Sequence, residues 1–320
     1  MAPKPPGDSA LSMRSLLLLI ATFARPLGAL SVDAAPPRTI LVTGATDGIG
    51  RHTACRLASD GNHLLIHGRR PEEGAELRSN LLSRGAASVR YFNADLADLE
   101  QVESLARDII SSGVGSIDVL INNAGIFDPP SPAKSRQGYD ETWAVNCMAP
   151  FLLTRRLLPL VAASADGCPR IVTTSSISQS RSLPSLDELF DINERPKSGH
   201  QAYSDSKLGD FLFTVVLSRL LREHADSRFG RIKCLTMDPG TVNTKMLIAG
   251  WGACGIPVSR ADNTYKLATA FGAEQESGTY HFGGAGSADA KDEKKVRALW
   301  DRWEQTTGCT YADIGANCDG

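Results

Sequence analysis

From Arg38 onward, short apolar stretches alternate with longer segments that have the spacing of amphipathic helices. The apolar stretches are, in order, RTILVTG, NHLLIHG, SVRYFNAD, IDVLINNAG, PRIVTTSS and RIKCLTMDPG. Several are nearly continuous in Val, Ile and Leu, which is typical of strands that are buried on both faces. Strands that alternate with helices of this length form a parallel sheet with helices on both sides. The alternation therefore predicts an α/β fold, a doubly wound parallel sheet in a single domain.

The N-terminal segment, residues 1–37, differs from the rest of the chain. An apolar run at residues 16–24 follows Arg14 and ends at Arg25. This run is far shorter than the roughly 20 residues that a membrane-spanning helix needs, so we predict no transmembrane span there. Its length is typical of a secretory signal, and its basic flanks also suit an organelle transit peptide or an unstructured tail. We expect a targeting segment, for the secretory pathway and endoplasmic reticulum or for organelle import.

The predicted domain covers residues 38–307, and residues 308–320 are expected to be a flexible C-terminal tail. The last helical stretch, KDEKKVRALWDRWEQ, carries apolar residues along one face. Hydrophobic residues make up 42% of the chain, which predicts a packed core, and the formal net charge of −2 argues against a nucleic-acid partner. The seven cysteines are scattered without a CxxC pair, so no metal site is predicted.

The stretch TGATDGIG, residues 43–50, follows the first predicted strand and precedes the first predicted helix. In this setting Gly44 suits a tight turn, and Gly48 and Gly50 allow a pyrophosphate and the helix to approach the backbone closely. The unpaired N–H groups and the dipole at a helix start favour a bound anion. The turn therefore predicts a phosphate-binding site, and in this α/β context a dinucleotide fold of the Rossmann type.

The end of the second predicted strand indicates which dinucleotide is bound. A site for NAD usually has an acid there, which bonds the ribose hydroxyls of the adenosine. Here the sequence reads His67, Gly68, Arg69 and Arg70, with two arginines and no acid. A guanidinium suits a 2′-phosphate, so we predict a preference for NADP(H) over NAD(H).

The stretch YSDSK places Tyr203 and Lys207 four residues apart, so both lie on one face of a helix. The positive charge of the lysine favours the phenolate form, so the phenol ionises more easily. The helix follows a strand that ends at Ser175 and Ser176, which places the pair at the carboxyl edge of the sheet. Open α/β sheets bind their ligands at that edge. The pair is therefore a candidate acid/base for catalysis.

Taken together, these motifs resemble those of the short-chain dehydrogenase/reductase family. The resemblance covers residues 38–280 and includes, in order, TGATDGIG, NADL, NNAG, AVNCMAPFLLT, IVTTSS, YSDSK and DPGTVNT. Within the family, GIGRHTA, AYSDSKL and PGTVNTKM are most similar to the retinol-dehydrogenase-like branch, which prefers NADP. In that branch the apolar stretches 143–160 and 203–221 would lie at a homodimer surface, although burial in the core would explain the same apolar faces.

The resemblance implies a role for each matching residue in catalysis. Tyr203 would exchange a proton with the substrate oxygen, and Lys207 would bind the nicotinamide ribose and ease the ionisation of Tyr203. Asn146 would anchor a water in the proton relay. Ser176 would hold the carbonyl oxygen, with its neighbours in TTSSIS, the serines at 175 and 178, as alternatives.

Other matching residues would form the cofactor cleft. Asp95 would contact the adenine, Asn123 would line the cleft, and Val242 and Thr244 would touch the carboxamide and phosphate side. The predicted cofactor-binding residues are Gly44, Thr46, Asp47, Gly48, Ile49, Gly50, Arg69, Asp95, Leu96, Asn123, Ala124, Gly125, Tyr203, Lys207, Pro239, Gly240, Val242 and Thr244.

The function implied is hydride transfer between NADP(H) and the carbonyl or alcohol group of a small lipophilic substrate. The stretch KMLIAGWGACGIP, residues 245–257, is apolar and rich in glycine, and it follows the PGTVNT turn where the family has its substrate lid. Two alternatives share the same motifs. One is a non-catalytic dinucleotide-binding sensor or scaffold on this fold, and the other is a light-dependent pigment reductase.

Overall fold

The computed structural model describes residues 1–3, 36–127, 133–191, 193, 198–270, 275–283, 287–312 and 314. The chain divides into two compact units, Met1–Pro36 and Pro37–Gly320, and the second contains every described helix and strand. The predicted targeting segment falls almost wholly on residues 4–35, which lie outside the described residues.

A parallel sheet forms the centre of the domain. Its strands are β1 (Thr39–Val42), β2 (His63–Gly68), β3 (Ser88–Asn93), β4 (Val119–Asn122), β5 (Arg170–Thr174), β6 (Lys233–Met237) and β7 (Thr279–His281). They lie in the order β3-β2-β1-β4-β5-β6-β7, and every pairing between them is parallel. The order reverses at β1, which pairs with β2 on one side and with β4 on the other. The predicted doubly wound α/β fold is confirmed.

Helices connect the strands and cover both faces of the sheet. They are α1 (Gly48–Ser59), α2 (Pro71–Ser83), α3 (Leu99–Ser111), α4 (Glu141–Ala162), α5 (Leu186–Phe190), α6 (Gly199–Glu223), α7 (Ser227–Gly230), α8 (Lys245–Trp251), α9 (Asn263–Thr269) and α10 (Glu293–Thr307). On β1, Leu41 belongs to one apolar cluster, whereas Ile40 and Val42 belong to another. The first cluster contains residues of α3, α4, α6 and α10, and the second contains residues of α1, α2 and α9. Because side chains alternate along a strand, the two clusters lie on opposite faces of the sheet.

Among the described residues, α4 is the one helix that is long and apolar enough to cross a membrane. However, 83% of its most apolar stretch of 18 residues is buried inside the protein, and Trp143 and Phe151 on this helix are core residues. Packing therefore accounts for its composition. The two stretches that resemble a homodimer surface lie on α4 and α6, and both helices contribute to the same core cluster within one chain. A homodimer stays a prediction.

The described part of the C-terminal segment packs against the core, whereas we expected a flexible tail. Cys309, Tyr311 and Ile314 are buried, and the Tyr311 hydroxyl donates a hydrogen bond of 2.7 Å to the carbonyl oxygen of Phe151. The Tyr311 ring also lies 4.8 Å from that of Trp300 on α10. A tyrosine whose ring is buried and whose hydroxyl has a partner is well suited to a core position. The sequence did not predict this packing, because a segment of this length is too short to show the periodic spacing of apolar residues that marks a helix or a strand.

One buried histidine joins three of the central segments. His67 lies on β2 and is 2% exposed. Its Nδ1 accepts a hydrogen bond of 3.3 Å from the backbone N–H of Gly44, and its Nε2 lies 3.1 Å from the carbonyl oxygen of Ala94. Since Nδ1 is the acceptor, the proton of the neutral ring is on Nε2 and is donated to Ala94. The side chain therefore holds the glycine turn after β1 against the ends of β2 and β3.

Burial lowers the pKa of His67 to about 4, because the charged imidazolium would lose its hydration. The unfolded chain takes up this proton near pH 6.5, so the folded state loses stability as the pH falls from about 6.5 towards 4. We expect this histidine to contribute about 2–3 kcal/mol to the loss in free energy of unfolding between pH 7.5 and 4.5.

The substitution His67→Asn removes the titrating group and keeps an acceptor for Gly44. Urea unfolding at both pH values should therefore show a smaller loss of stability in this variant than in the parent. His63→Asn, on the same strand, serves as the matched control. An identical pH dependence in the parent and in His67→Asn would show that His67 does not carry this effect.

Candidate functional site

A cleft of about 630 Å³ opens at the carboxyl ends of the strands, beside the point where the strand order reverses. Residues that follow six of the strands, β1 to β6, and residues of α1, α4, α6 and α8 line it. It brings together most of the predicted cofactor-binding residues, namely Gly44, Thr46, Asp47, Gly48, Ile49, Gly50, Arg69, Asp95, Leu96, Asn123, Ala124, Gly125, Tyr203, Lys207, Pro239 and Thr244. The other two, Gly240 and Val242, line a smaller adjoining cavity.

The glycine turn fits tightly between β1 and the loop after β4. Gly44 has a φ of +63°, and a Cβ atom there would lie 2.8 Å from the Cα atom of Ala124. A Cβ atom on Gly50 would lie 2.2 Å from the carbonyl oxygen of Gly44. Asn123 holds the turn from the other side, since its amide donates to the carbonyl oxygen of Thr43 over 3.0 Å. The turn thus leads the chain directly into α1, whose first N–H groups have no partner within the helix.

A charged pair, Asp47 and Lys245, lies at the cleft beside the glycine turn. Asp47 caps α1, and its carboxylate also pairs with Lys245 at the start of α8 over 2.8 Å. Burial raises the pKa of Asp47. The hydrogen bonds from Lys245 and from the Gly48 N–H, together with the Lys245 charge, lower this pKa by more, so the net shift is downward. Sequence reasoning had not singled out Lys245, although it directly follows the predicted Thr244.

Arg69 and Arg70 lie at the end of β2, and both are exposed at the cleft. Arg70 pairs with Glu73 over 2.7 Å. For Arg69, the described residues include no carboxylate within ion-pair distance. An exposed guanidinium in this position has its donors available for an anionic ligand.

The predicted pair Tyr203 and Lys207 lies on α6 at the inner end of the cleft. Tyr203 is 9% exposed and Lys207 is 3% exposed. The Nζ atom of Lys207 lies 5.6 Å from the centre of the Tyr203 ring and donates to the carbonyl oxygen of Thr174 at the end of β5 over 2.9 Å. The lysine is therefore anchored to the sheet, with its charge beside the phenol.

The predicted residue Asn146 does not line the cleft but lies directly behind it. It sits in a π-helical turn of α4, Ala144–Met148, a local widening that often occurs at functional sites. Its Oδ1 accepts a hydrogen bond from the backbone N–H of Ile126 over 2.8 Å, and its Nδ2 donates to the Ile126 carbonyl and to Ser206. Ser206 in turn donates to the carbonyl oxygen of Tyr203. Asn146 therefore links the loop after β4 to the Tyr203 turn of α6.

The three candidate serines lie in different surroundings. Ser175 is buried, and its hydroxyl donates to the carbonyl oxygen of Lys207 over 2.7 Å. Ser176 and Ser178 line the smaller cavity, which has a volume of about 180 Å³ and also has Tyr203 in its wall. The Ser176 hydroxyl oxygen accepts a hydrogen bond from the Ser178 N–H over 3.1 Å, so Ser176 is held in this wall by its neighbour.

Rings from three segments pack together beside Tyr203. Trp251 on α8 lies 4.5 Å from Phe127, 4.8 Å from His200 and 5.8 Å from Tyr203, measured between ring centres. His200 Nε2 also lies 3.2 Å from the carbonyl oxygen of Gly250 on α8. We call Phe127, His200 and Trp251 the aromatic cap. Phe127 and His200 were not found from the sequence, because they are distant in the chain and belong to no motif.

Comparisons with known proteins agree with this geometry. The model of the short chain dehydrogenase family matches residues 38–187. The chain is 35% identical to polyprenol dehydrogenase of Mus musculus over 68% of its own length and 63% of that protein's length. It is 32% identical to retinol dehydrogenase 14 of Mus musculus, and this match covers 85% of the chain and 86% of the relative.

Solved structures share the fold. A crystal structure of an uncharacterized protein from Mycobacterium paratuberculosis has a TM-score of 0.68 at 29% identity, covering 86% of this chain and 94% of that one. A short chain dehydrogenase from Escherichia coli complexed with NADPH has a TM-score of 0.59 at 24% identity, covering 76% of this chain and 95% of that one. With its parallel sheet, its glycine turn and the Tyr203–Lys207 pair in one cleft, the chain belongs to the short-chain dehydrogenase/reductase family of oxidoreductases and is similar to its retinol-dehydrogenase-like branch.

Proposed function

We propose that this protein is an NADP(H)-dependent oxidoreductase that transfers hydride between the nicotinamide and the carbonyl or alcohol group of a lipophilic substrate. The observation that carries the proposal is the position of Tyr203 beside the Lys207 ammonium, at the inner end of a cleft that begins at the glycine turn. The cleft volume of about 630 Å³ lies within the range of small-molecule sites.

The residues that are present fit a dinucleotide. At Gly44 and Gly50, a Cβ atom would collide with the backbone of the turn or of the loop beside it, so the two glycines let this turn form at the start of α1. The backbone N–H groups at the start of α1 would hold the pyrophosphate, Asp95 and Leu96 would lie along the adenine, and Asn123 to Gly125 would line the nicotinamide half. When bound, the cofactor supplies or accepts the hydride.

The protein's own side chains handle the proton and the charge on the substrate oxygen. The Tyr203 hydroxyl gives a proton to the oxygen in carbonyl reduction and takes one in alcohol oxidation. The Lys207 charge favours the phenolate and therefore eases this transfer. Ser176, which shares a cavity wall with Tyr203, would donate a second hydrogen bond to the oxygen where negative charge develops. Asn146, behind the loop at Ile126, would hold a water of the proton relay.

The end of β2 supports a preference for NADP(H). Arg69 and Arg70 lie where an acid would bond the ribose hydroxyls of NAD, and Arg69 has donors available for a 2′-phosphate. The carboxylate of Asp47, which also lines the cleft, pairs with Lys245, and this reduces its repulsion of a phosphate.

A lipophilic substrate is supported by the smaller cavity, where Tyr203 and Ser176 are the polar anchors. Apolar side chains line part of its remaining wall, and Met246, Leu247 and Trp251 of α8 are among them. The aromatic cap adjoins it. Relatives of this chain are named for retinol and polyprenol, which are apolar alcohols. The apolar run at residues 16–24 supports targeting to the secretory pathway or to an organelle.

Tyr203→Phe tests the reaction type. We expect turnover of a confirmed substrate to fall by about 10²- to 10⁴-fold with nearly unchanged cofactor binding, because only the proton donor is lost. Steady-state kinetics and a cofactor titration measure the two effects. The control is Tyr265→Phe, because the Tyr265 hydroxyl of the parent donates a hydrogen bond to Asp60 and lies outside the cleft. A variant that keeps more than half of the parent rate would remove Tyr203 from the proton transfer, and a parent without turnover would favour a non-catalytic dinucleotide-binding protein.

Arg69→Ala, alone and combined with Arg70→Ala, tests the cofactor preference. The loss of a charge-assisted contact to the 2′-phosphate should weaken NADPH binding roughly tenfold or more, with little effect on NADH. The dissociation constants of NADPH and NADH, measured for the parent and for each variant, test this expectation. Arg84→Ala, at an exposed arginine that directly follows the C-terminal end of α2, should change neither. Equal weakening of NADPH and NADH would contradict the assignment of Arg69 to the 2′-phosphate.

A series of aldehydes or ketones of increasing chain length tests the substrate class. We expect kcat/KM to rise with length, by up to roughly fourfold per added CH₂, because each buried methylene contributes about 0.8 kcal/mol. Trp251→Ala should flatten this trend, whereas Ile110→Ala, at an exposed apolar residue of α3, should not. If short polar carbonyls react fastest and Trp251→Ala has no effect, the lipophilic substrate and the role of α8 as a lid are both wrong.

A further inference from the structure

The Lys207 ammonium has a second partner that no sequence motif pointed to. Asp210 lies three residues further along α6, and its Oδ2 atom accepts a hydrogen bond of 2.9 Å from Nζ of Lys207. Both side chains are almost completely buried, at 4% exposure for the lysine and 2% for the aspartate. The Thr174 carbonyl and Asp210 occupy two of the three N–H donors of the ammonium, which leaves one for the Tyr203 side or a ligand.

Asp210 differs from the other contacts of Lys207 because it carries a charge. Burial raises the pKa of the Asp210 carboxyl to about 6, although the lysine charge opposes this. Burial also disfavours the ammonium, but the carboxylate outweighs this effect and the pKa of Lys207 is raised above its usual value. The carboxylate therefore favours the charged form of the buried lysine.

Within the described part of the chain, the other titratable groups that act on this ion pair come from three elements. They are Tyr203 on α6 itself, Cys147 on α4 and Tyr280 on β7, and the pKa of Tyr280 is raised mainly by burial. Asp210 is thus the acid that acts most directly on the lysine. Its second oxygen, Oδ1, is buried and has no hydrogen-bond partner among the described residues.

The stability of the folded protein does not by itself explain why an ion pair is buried here. A buried ion pair often contributes little net stability, since the desolvation of both charges offsets their attraction. Here the pair lies directly beside the phenol that is proposed to exchange the proton. Two effects on Tyr203 follow from its position. The carboxylate fixes where the ammonium points, and its negative charge partly cancels the positive charge that the phenol experiences.

We propose that Asp210 is a positioning residue that anchors the Lys207 ammonium against Tyr203 and tunes how strongly the lysine promotes ionisation of the phenol. This inference rests on the proposed function for its kinetic consequence only, since the effect on Tyr203 ionisation does not require turnover.

The substitution Asp210→Asn tests the electrostatic part. It removes the negative charge but keeps an oxygen that can accept from Nζ. Over the pH range in which the lysine stays protonated, the phenol therefore experiences more of the lysine charge. We expect the Tyr203 phenol to titrate about one pH unit lower than in the parent. The titration is followed in the full chain by NMR of ¹³Cζ-labelled tyrosine, with the Tyr203 signal assigned from Tyr203→Phe. In active enzyme, the pH limb of kcat/KM that reports this ionisation should shift by the same amount, in either direction of the reaction.

Asp210→Glu tests the positional part and keeps the charge. Its longer side chain displaces the ammonium, so turnover should fall at least tenfold while the Tyr203 titration stays closer to that of the parent than to that of Asp210→Asn. Asp301→Asn is the matched control, since Asp301 pairs with Arg297 on the exposed face of α10 over 2.8 Å. This control should change neither measurement.

Several results would overturn the inference. One is a Tyr203 titration in Asp210→Asn that lies within 0.2 pH unit of the parent. Another is an Asp210→Glu variant that shifts the titration as far as Asp210→Asn does, which would show that the charge is not responsible. If the parent has no turnover at all, the proposed function fails, but the NMR titration still decides the role of Asp210.

Discussion

The pairing of β1 with β2 on one side and with β4 on the other is the constraint on which the rest of the structure depends. Because all strands are parallel, the chain leaves every strand at the same edge of the sheet. The connection after β1 goes to one face and the connection after β4 goes to the other, so the two loops part at this edge and leave a crevice. The glycine turn and the Asn123–Gly125 loop form its two walls, and their close approach at Ala124 requires glycine at position 44.

The inner end of the crevice is held by buried polar groups that bond to one another, although Oδ1 of Asp210 has no partner among the described residues. Lys207 is bonded to β5 and to Asp210, and Ser175 bonds the Lys207 carbonyl. Asn146 connects the loop after β4 to Ser206. Because unpaired polar groups are unfavourable in a dry site, such networks have few alternative arrangements. This rigidity is what a proton-transferring phenol requires, since a small displacement greatly slows the reaction.

The sequence predicted the parts of this site that depend on local chain geometry. The glycine turn and the spacing of Tyr203 and Lys207 need only a strand, a turn or one helix face to be recognised, and the structure places all of them in one cleft. Contacts between distant segments could not be predicted in this way. His67, Phe127 and the packed C-terminal Tyr311 acquire their positions only when the domain folds. Asp210 was visible in principle, as an acid within the apolar stretch KLGDFLF three residues after the lysine.

The π-helical turn Ala144–Met148 has a further consequence for how this chain can vary. A π turn accommodates one extra residue within an α-helix, and each residue of an α-helix rotates the following side chains by about 100°. Because the widened turn absorbs the extra residue, the helix on either side of it keeps the rotational phase of a regular α-helix. A deletion of one residue within 144–148 would therefore leave Phe151 facing the core and change mainly the direction of Asn146, whereas a deletion of two residues would also turn the rest of α4 away from the core. This segment can lose one residue at the expense of the site but not of the fold.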